Sequence, residues 1–286
     1  MGNRSASESV ARSDEKNLVV IDSRGRFGST VSEIFSRREL LSFLVWRDIK
    51  VRYKQTVFGV LWAVLLPLMQ TFIFTVIFGR FAHIEPDGHY SYTVFVLAGL
   101  IPWTFFSQAL TFGGQSLVNQ QHLLTKVYFP RLFVPAAAVG GCLVDFLVGM
   151  ALFAVILASS GIIPGRGILY LPALVALMLM ATLGVVFLLA ALTVSYRDFK
   201  YITPFGVQLM MYASPIVYPT SMVPEKYRWI FALNPMAGVI DGWRSAVLGK
   251  PWDTSLILIS SASTLVLFAA GVGYFRHTER RFADIA

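Results

Sequence analysis

Residues Val57–Phe78 read VFGVLWAVLLPLMQTFIFTVIF, 22 positions without a charged side chain. A helix needs about 20 predominantly apolar residues to cross the hydrocarbon core of a bilayer, and a buried helix of a water-soluble protein is seldom this long and this uncharged. Similar stretches follow at Tyr92–Gly113, Phe133–Ser160, Ile168–Ser195, Tyr201–Pro219 and Ser255–Phe275. The expectation is an all-α integral membrane protein with six transmembrane helices. Function must then be read from what lies between and inside the spans.

Composition agrees. Of 286 residues, 56% are hydrophobic and 14% charged, whereas soluble domains carry about a quarter charged residues. The spans consume most of the chain and leave no room for a soluble catalytic domain. We expect a disordered polar arm over 1–29, a cytoplasmic amphipathic interfacial helix over 30–56, and a six-span membrane domain over 57–286. If the N-terminus is cytoplasmic, the inner segments hold 18 of the 24 Lys and Arg residues and the outer segments 6. That bias satisfies the positive-inside rule, with both termini cytoplasmic and the chain in the plasma (inner) membrane. The formal charge of +8 is read as this topology signal. The basic arm lacks interleaved aromatic residues, so nucleic acid is not an expected partner. No apolar stretch near the start suggests a cleavable signal peptide. Cys142 is the single cysteine and lies in the third span, where an inert buried thiol is expected.

Before the first span, Thr30 with Glu33 and Ser36 with Glu39 form capping-box patterns. Leu40, Leu41, Phe43, Leu44 and Trp46 then give an apolar face, and Arg47, Lys50 and Lys54 reach a polar one. The loop Gly114–Leu132 has room for a short helix, Leu117–Thr125, ended before Pro130. The outer segment Thr220–Trp252 is too long for a turn and too apolar for a free loop. Pro224 opens one helix there. Asn234 caps a second, with Pro235 at its first position and Gly249 beyond its end. Met236, Val239, Ile240, Trp243 and Val247 share a face of the second helix. The pair is read as lying on, or dipping into, the outer leaflet, with Trp229, Trp243 and Trp252 as interfacial anchors.

Two spans carry patterned polar faces. In span five Tyr201, Phe205, Gln208, Tyr212 and Pro215 recur at steps of four and three. In span one Gly59, Trp62, Leu66, Gln70 and Phe74 do the same. Amides and phenols facing lipid would lack partners. Rings mixed with amides and phenols suit a carbohydrate path, because sugars offer CH faces to rings and hydroxyls to polar tips. Packing seams between helices are the alternative, and both readings stay open on the sequence. Asp145 is an ionisable residue deep in a span, read as a hydrogen-bonding partner across a seam. His83, Glu85, Asp87 and His89 match no zinc spacing, and Pro86 and Gly88 make a plain turn the better reading. No P-loop is present, and no nucleophile–base or paired-carboxylate arrangement suits hydrolysis. Catalytic residues, a metal and a cofactor bound by this chain are therefore not expected.

Five motifs together resemble one family. They are RDIKVRYKQTVFGVLWAVLLPL (Arg47–Leu68), KVYFPRLFVP (Lys126–Pro135), SYRDFKYITPF (Ser195–Phe205), YASPIVYP (Tyr212–Pro219) and NPMAGVIDGWR (Asn234–Arg244). In this order they are similar to the membrane subunit of polysaccharide-exporting ABC transporters, the permeases for O-antigen, capsule and teichoic acid. The resemblance runs from about Arg37 to the C-terminus.

It implies a homodimer, two copies of a separate ATP-binding subunit carrying ATP and Mg, and a lipid-linked glycan as substrate. It implies a coupling helix over Asn119–Arg131, with Leu123, Leu124, Lys126, Tyr128, Phe129 and Arg131 toward the ATPase. It also implies an outer gate over Pro224–Gly249, including Trp229, Asn234, Trp243 and Arg244. Spans one and five would line the path through Trp62, Gln70, Phe74, Tyr201, Phe205, Gln208 and Tyr212. Arg47, Lys50 and Arg52 would meet the phosphates of the substrate or of lipid headgroups. Rival readings are a sister exporter of drugs or lipids, a membrane glycosyltransferase acting on polyprenyl substrates, and a non-transporting scaffold. The glycosyltransferase would need an acidic group near an interface, and Asp145 lies too deep for that.

Overall fold

The computed structural model describes residues 38–54, 61–120 and 130–279. Contacts divide the chain at Leu40. Of the first unit only the opening turn of α1 is described, and everything below concerns the second.

Nine α-helices and no strand occur among the described residues: α1 (Arg38–Lys54), α2 (Leu61–Phe74), α3 (Tyr92–Asn119), α4 (Phe133–Ser159), α5 (Leu171–Ser195), α6 (Phe199–Tyr212), α7 (Glu225–Ala232), α8 (Pro235–Leu248) and α9 (Thr254–Glu279). A π-helical segment, Thr75–Phe81, prolongs α2, and a 3-10 turn, Arg166–Tyr170, precedes α5. Five helical stretches are long and apolar enough to span a membrane: Leu61–Phe81, Tyr92–Asn119, Phe133–Ser159, Arg166–Ser195 and Thr254–Glu279. The sixth expected span differs. Its helix, α6, has 14 residues, which at 1.5 Å per residue covers about 21 Å. The non-helical turn Ala213–Tyr218 continues its path.

Contacts fix the direction of each helix. Ile101 lies beside Gly149, and the Phe105 ring meets that of Phe146 in a tilted contact at 5.5 Å, so α3 and α4 are antiparallel. Gly184 meets Gly271 and Phe187 meets Phe275, so α5 and α9 run parallel. The chain must therefore return along α6. Arg47 with Gln120 and Arg131 with Glu279 mark one end of the bundle, here termed basal. Lys250 with Asp87 marks the apical end.

The core is built on α3, which is buried along most of its length and touches α2, α4, α5, α6 and α8. Its start is set by Ser91, whose hydroxyl accepts a bond from the Val94 amide. Gly184 and Gly271 set the α5–α9 crossing. A Cβ on Gly271 would lie 2.0 Å from the Gly184 carbonyl oxygen, so glycine is what lets the two backbones touch.

The α8 boundaries follow local signals. The Asn234 side chain accepts from the Met236 amide, Pro235 sits at the first position, and Gly249 closes the helix with φ 73°. Of its two expected settings, on the leaflet or dipping into it, burial removes the first. Every residue from Pro235 to Val247 is buried, because α3, α5 and α9 surround the helix. It cannot lie on the leaflet surface, and Trp243, 0% exposed, is a core residue and not an interfacial anchor. By contrast α7 is exposed over most of its length, Trp229 included. The expected helix Leu117–Thr125 also differs: Leu117–Asn119 are the last residues of α3, and residues 121–129 lie outside the described set.

Candidate functional site

The two patterned faces emerge on the outside of the bundle. On α2 the packed residues are Ala63, Pro67 and Thr71, one turn apart. Trp62, Leu66 and Gln70 stand beside them and are exposed, while Phe74 is half-buried and edges onto Phe78 at 5.9 Å. On α6 Thr203 is buried, and Val207 and Met211 lean on the core. Tyr201, Phe205, Gln208 and Tyr212 occupy the opposite side and are all exposed. The helix period puts residues 203, 207 and 211 on one face and 201, 205, 208 and 212 on another. Leu209, which lies off the stripe, is also exposed. Only a narrow strip of α6 is packed.

Past Tyr212 the helix breaks, within the motif YASPIVYP, into a turn where a continued span was expected. Pro215 has no amide hydrogen, and backbone freed from a helix at membrane depth must find other partners. Each carbonyl from Tyr212 to Val217 has a donor. Tyr218 Oη donates to Tyr212 at 3.0 Å. Asn234 Nδ2 donates to Ala213 at 3.2 Å, and the Ile216 amide to Ser214 at 2.8 Å. Arg244 Nη1 donates to Pro215 at 2.5 Å and Nη2 to Ile216 at 2.7 Å. Tyr92 Oη donates to Val217 at 2.5 Å.

Arg244 also donates through Nε to Phe95 at 3.2 Å. Its guanidinium lies 3.5 Å above the Phe95 ring, a cation–π contact. It is 1% exposed. As a guanidinium it stays charged at neutral pH. A planar fork with five donors suits three divergent carbonyls in a way an ammonium cannot.

The motif NPMAGVIDGWR thus holds the motif YASPIVYP. Asn234 caps α8 with its oxygen and grips the turn with its nitrogen, and Arg244 binds the turn from nearly three helical turns further along. The same helix carries Asp241, 0% exposed. Its Oδ1 accepts from Lys250 Nζ at 2.6 Å and from Thr220 Oγ1 at 2.8 Å. Lys250 reaches on to Asp87 at 3.2 Å, and Asp87 accepts from Ser221 at 2.6 Å. In the acidic and histidine-bearing loop before α3, Asp87 therefore serves as a tie between apical segments.

At the basal end α1 packs along the first half of α4, with Val45 against Gly140. Arg52 Nη1 donates to Asp145 Oδ2 at 2.8 Å. Tyr53 also donates to Asp145, and the Arg52 guanidinium lies 4.4 Å from the centroid of Phe112. Burial and the Asp145 carboxylate push the Tyr53 phenol well above its ordinary range. Asp145 does bond across a helix contact. Arg52, expected to face phosphates, makes that bond. Arg47 is paired with Asp48 at 2.7 Å and donates to Gln120 at 2.6 Å. Of the three expected phosphate contacts, Lys50 stands exposed. Leu123, Leu124, Lys126, Tyr128 and Phe129 lie outside the described residues. Arg131 donates to the Glu279 carbonyl at 2.9 Å, joining the start of α4 to the end of α9.

Sequence reading missed the buried role of Arg244. One signal pointed toward it: Pro215, placed inside a predicted span, guarantees carbonyls in need of a donor.

Such a bundle, with five helical stretches able to span a membrane and a clamped broken helix, is that of a polytopic membrane protein. The family model described as ABC-2 type transporter matches residues 39–248, and the chain belongs to that family. It is 31% identical over 248 residues to an O-antigen export system permease protein of Klebsiella pneumoniae, covering 86% of this chain and 95% of the relative. A protein of the same description from Myxococcus xanthus is 28% identical over 89% of this chain and 98% of its own length. The polysialic acid transport protein KpsM of Escherichia coli is 25% identical over 82% and 92%.

Proposed function

We propose that this chain is the permease subunit of an ATP-driven exporter that moves a lipid-linked polysaccharide, of O-antigen or capsule type, across the inner membrane. The observation that carries the reading is the near full-length similarity to permeases named for O-antigen export. The exposed faces of α2 and α6 support it. Two copies of the chain would set these faces toward each other around a path, where rings meet sugar CH faces and amides and phenols meet hydroxyls. ATP and Mg would be held and hydrolysed by two copies of a separate ATP-binding subunit docked at the basal end. Both termini would be cytoplasmic, in keeping with the Lys and Arg bias. The segment Asn119–Arg131 would carry the movement. Its apolar residues on a polar loop call for a groove that covers them. Net movement then comes from contacts that differ between two states. On α6 the inner part is loosely packed and the apical end is clamped, an arrangement suited to pivoting.

The direct experiment is co-purification with the ATP-binding subunit, followed by ATPase measurement in lipid with and without the lipid-linked glycan. Stimulation by the glycan, and loss of surface glycan on deleting the gene, are the expected results. A stable complex whose ATPase ignores every lipid-linked glycan of the source cell would overturn the reading.

A further inference from the structure

We propose that an apical cavity between α7 and the first turns of α9 binds the phosphoethanolamine headgroup of a membrane lipid. The cavity measures about 280 Å3 and is lined by Glu225, Arg228, Trp229, Asp253, Leu256 and Ile259 among others. None of its lining residues belongs to α2 or α6, the helices of the proposed path, although Glu225, Arg228 and Trp229 lie in the segment expected to form the outer gate.

Its chemistry is layered. Leu256 and Ile259 belong to the apical end of α9. That span shows Leu258, Leu265 and Val266 to the outside at 64%, 57% and 68% exposure, as a lipid-facing helix does. Above this apolar floor stand two carboxylates, one guanidinium and one indole. Glu225, Arg228 and Trp229 share a face of α7 through their spacing of three and four. Asp253 is fixed from the other wall, where its Oδ1 accepts from the Leu256 amide at 3.0 Å. None of the three charged groups forms an ion pair with another described residue.

A ligand carrying one anion and one cation a short distance apart answers this set. The phosphate meets Arg228, and the ammonium meets Glu225 and Asp253 with the Trp229 face beside it. Trp229, 59% exposed, sits where an indole marks the membrane–water boundary. The acyl chains would leave along the exposed side of α9. An anionic phosphoglycerol headgroup satisfies Arg228 but sets a negative ligand among two carboxylates with no cation to offset them.

The test is lipid retention by the full-length chain. The protein is purified in detergent and equilibrated with equal amounts of phosphatidylethanolamine and phosphatidylglycerol of the same acyl chains. Retained lipid is then read by native mass spectrometry. Selective retention of phosphatidylethanolamine is expected, falling about tenfold in Arg228→Gln, the scale of one charge-assisted bond. The pair Glu225→Gln and Asp253→Asn should show the same loss, and Asn keeps the α9 cap, so unfolding is not the cause. Equal retention of both lipids, or selective retention that all these variants preserve, overturns the proposal. So does displacement of bound lipid by a soluble oligosaccharide, which would make the cavity a sugar site.

Discussion

Arg244 does at the apical end what no other described side chain does: it satisfies three carbonyls from two different segments while fully buried. Its removal strands those carbonyls and opens space over Phe95. Arg244→Met is expected to destabilise the protein by about 3 kcal/mol, the scale of a buried charged hydrogen-bonding group lost with its partners left behind. Arg244→Lys should recover only part, because one ammonium cannot span the same three oxygens. Thermal unfolding in detergent checks both, and a Lys variant as stable as the parent would show that charge alone matters. A second residue-scale test concerns Arg52 and Asp145, with side-chain exposures of 23% and 14%. A double-mutant cycle with Arg52→Met and Asp145→Asn should give a coupling of about 1 kcal/mol or more. Strict additivity would reduce the pair to proximity. Asp145 was legible as a residue needing a partner, since an ionisable group in a span must have one. Which basic residue supplies it was not, because Arg47, Lys50 and Arg52 follow one another on a single helix and only packing selects among them.

Among the helices, the α5–α9 crossing gives the sharpest contrast. Gly271→Ala would force a methyl into the Gly184 backbone, whereas a Cβ on Gly273 meets nothing within 4 Å. The first substitution should lower folded yield strongly and the second leave it unchanged, as judged by monodispersity after detergent extraction. Equal behaviour would mean the two helices are not held at this distance. Boundaries such as those of α7 and α8 were legible because caps and prolines act locally. The burial of α8 was not. Its apolar face suggested an amphipathic surface helix, yet its polar residues Asp241, Arg244 and Ser245 are as buried as its apolar ones. They are satisfied by segments remote in sequence, Thr220 and Lys250 on one side and Phe95, Pro215 and Ile216 on the other. A polar pattern cannot distinguish water from a tertiary partner. The length of α6 was misjudged for a related reason: Ala213–Tyr218 is apolar enough to read as span, and Pro215 ends the helix there.

In the whole molecule, a basal end that would receive the ATP-binding subunit stands opposite an apical end clamped by α8. The segment proposed to dock the ATP-binding subunit carries its own prediction. Leu124→Asp together with Phe129→Asp should leave the membrane bundle folded but abolish glycan-stimulated ATPase activity, read in the reconstituted complex. Normal stimulation in that variant would place docking elsewhere. The central claim is that the outward face of α6 borders water during transport. It is tested most directly by cysteines at Tyr201, Phe205, Gln208 and Tyr212, and at Thr203 and Val207 on the packed side, in a Cys142→Ser background. A water-soluble, membrane-impermeant maleimide applied during ATP turnover in lipid should label the first four and spare the last two. Equal labelling of the two faces, or none on the stripe, would contradict the account and make this face a packing or lipid-facing surface.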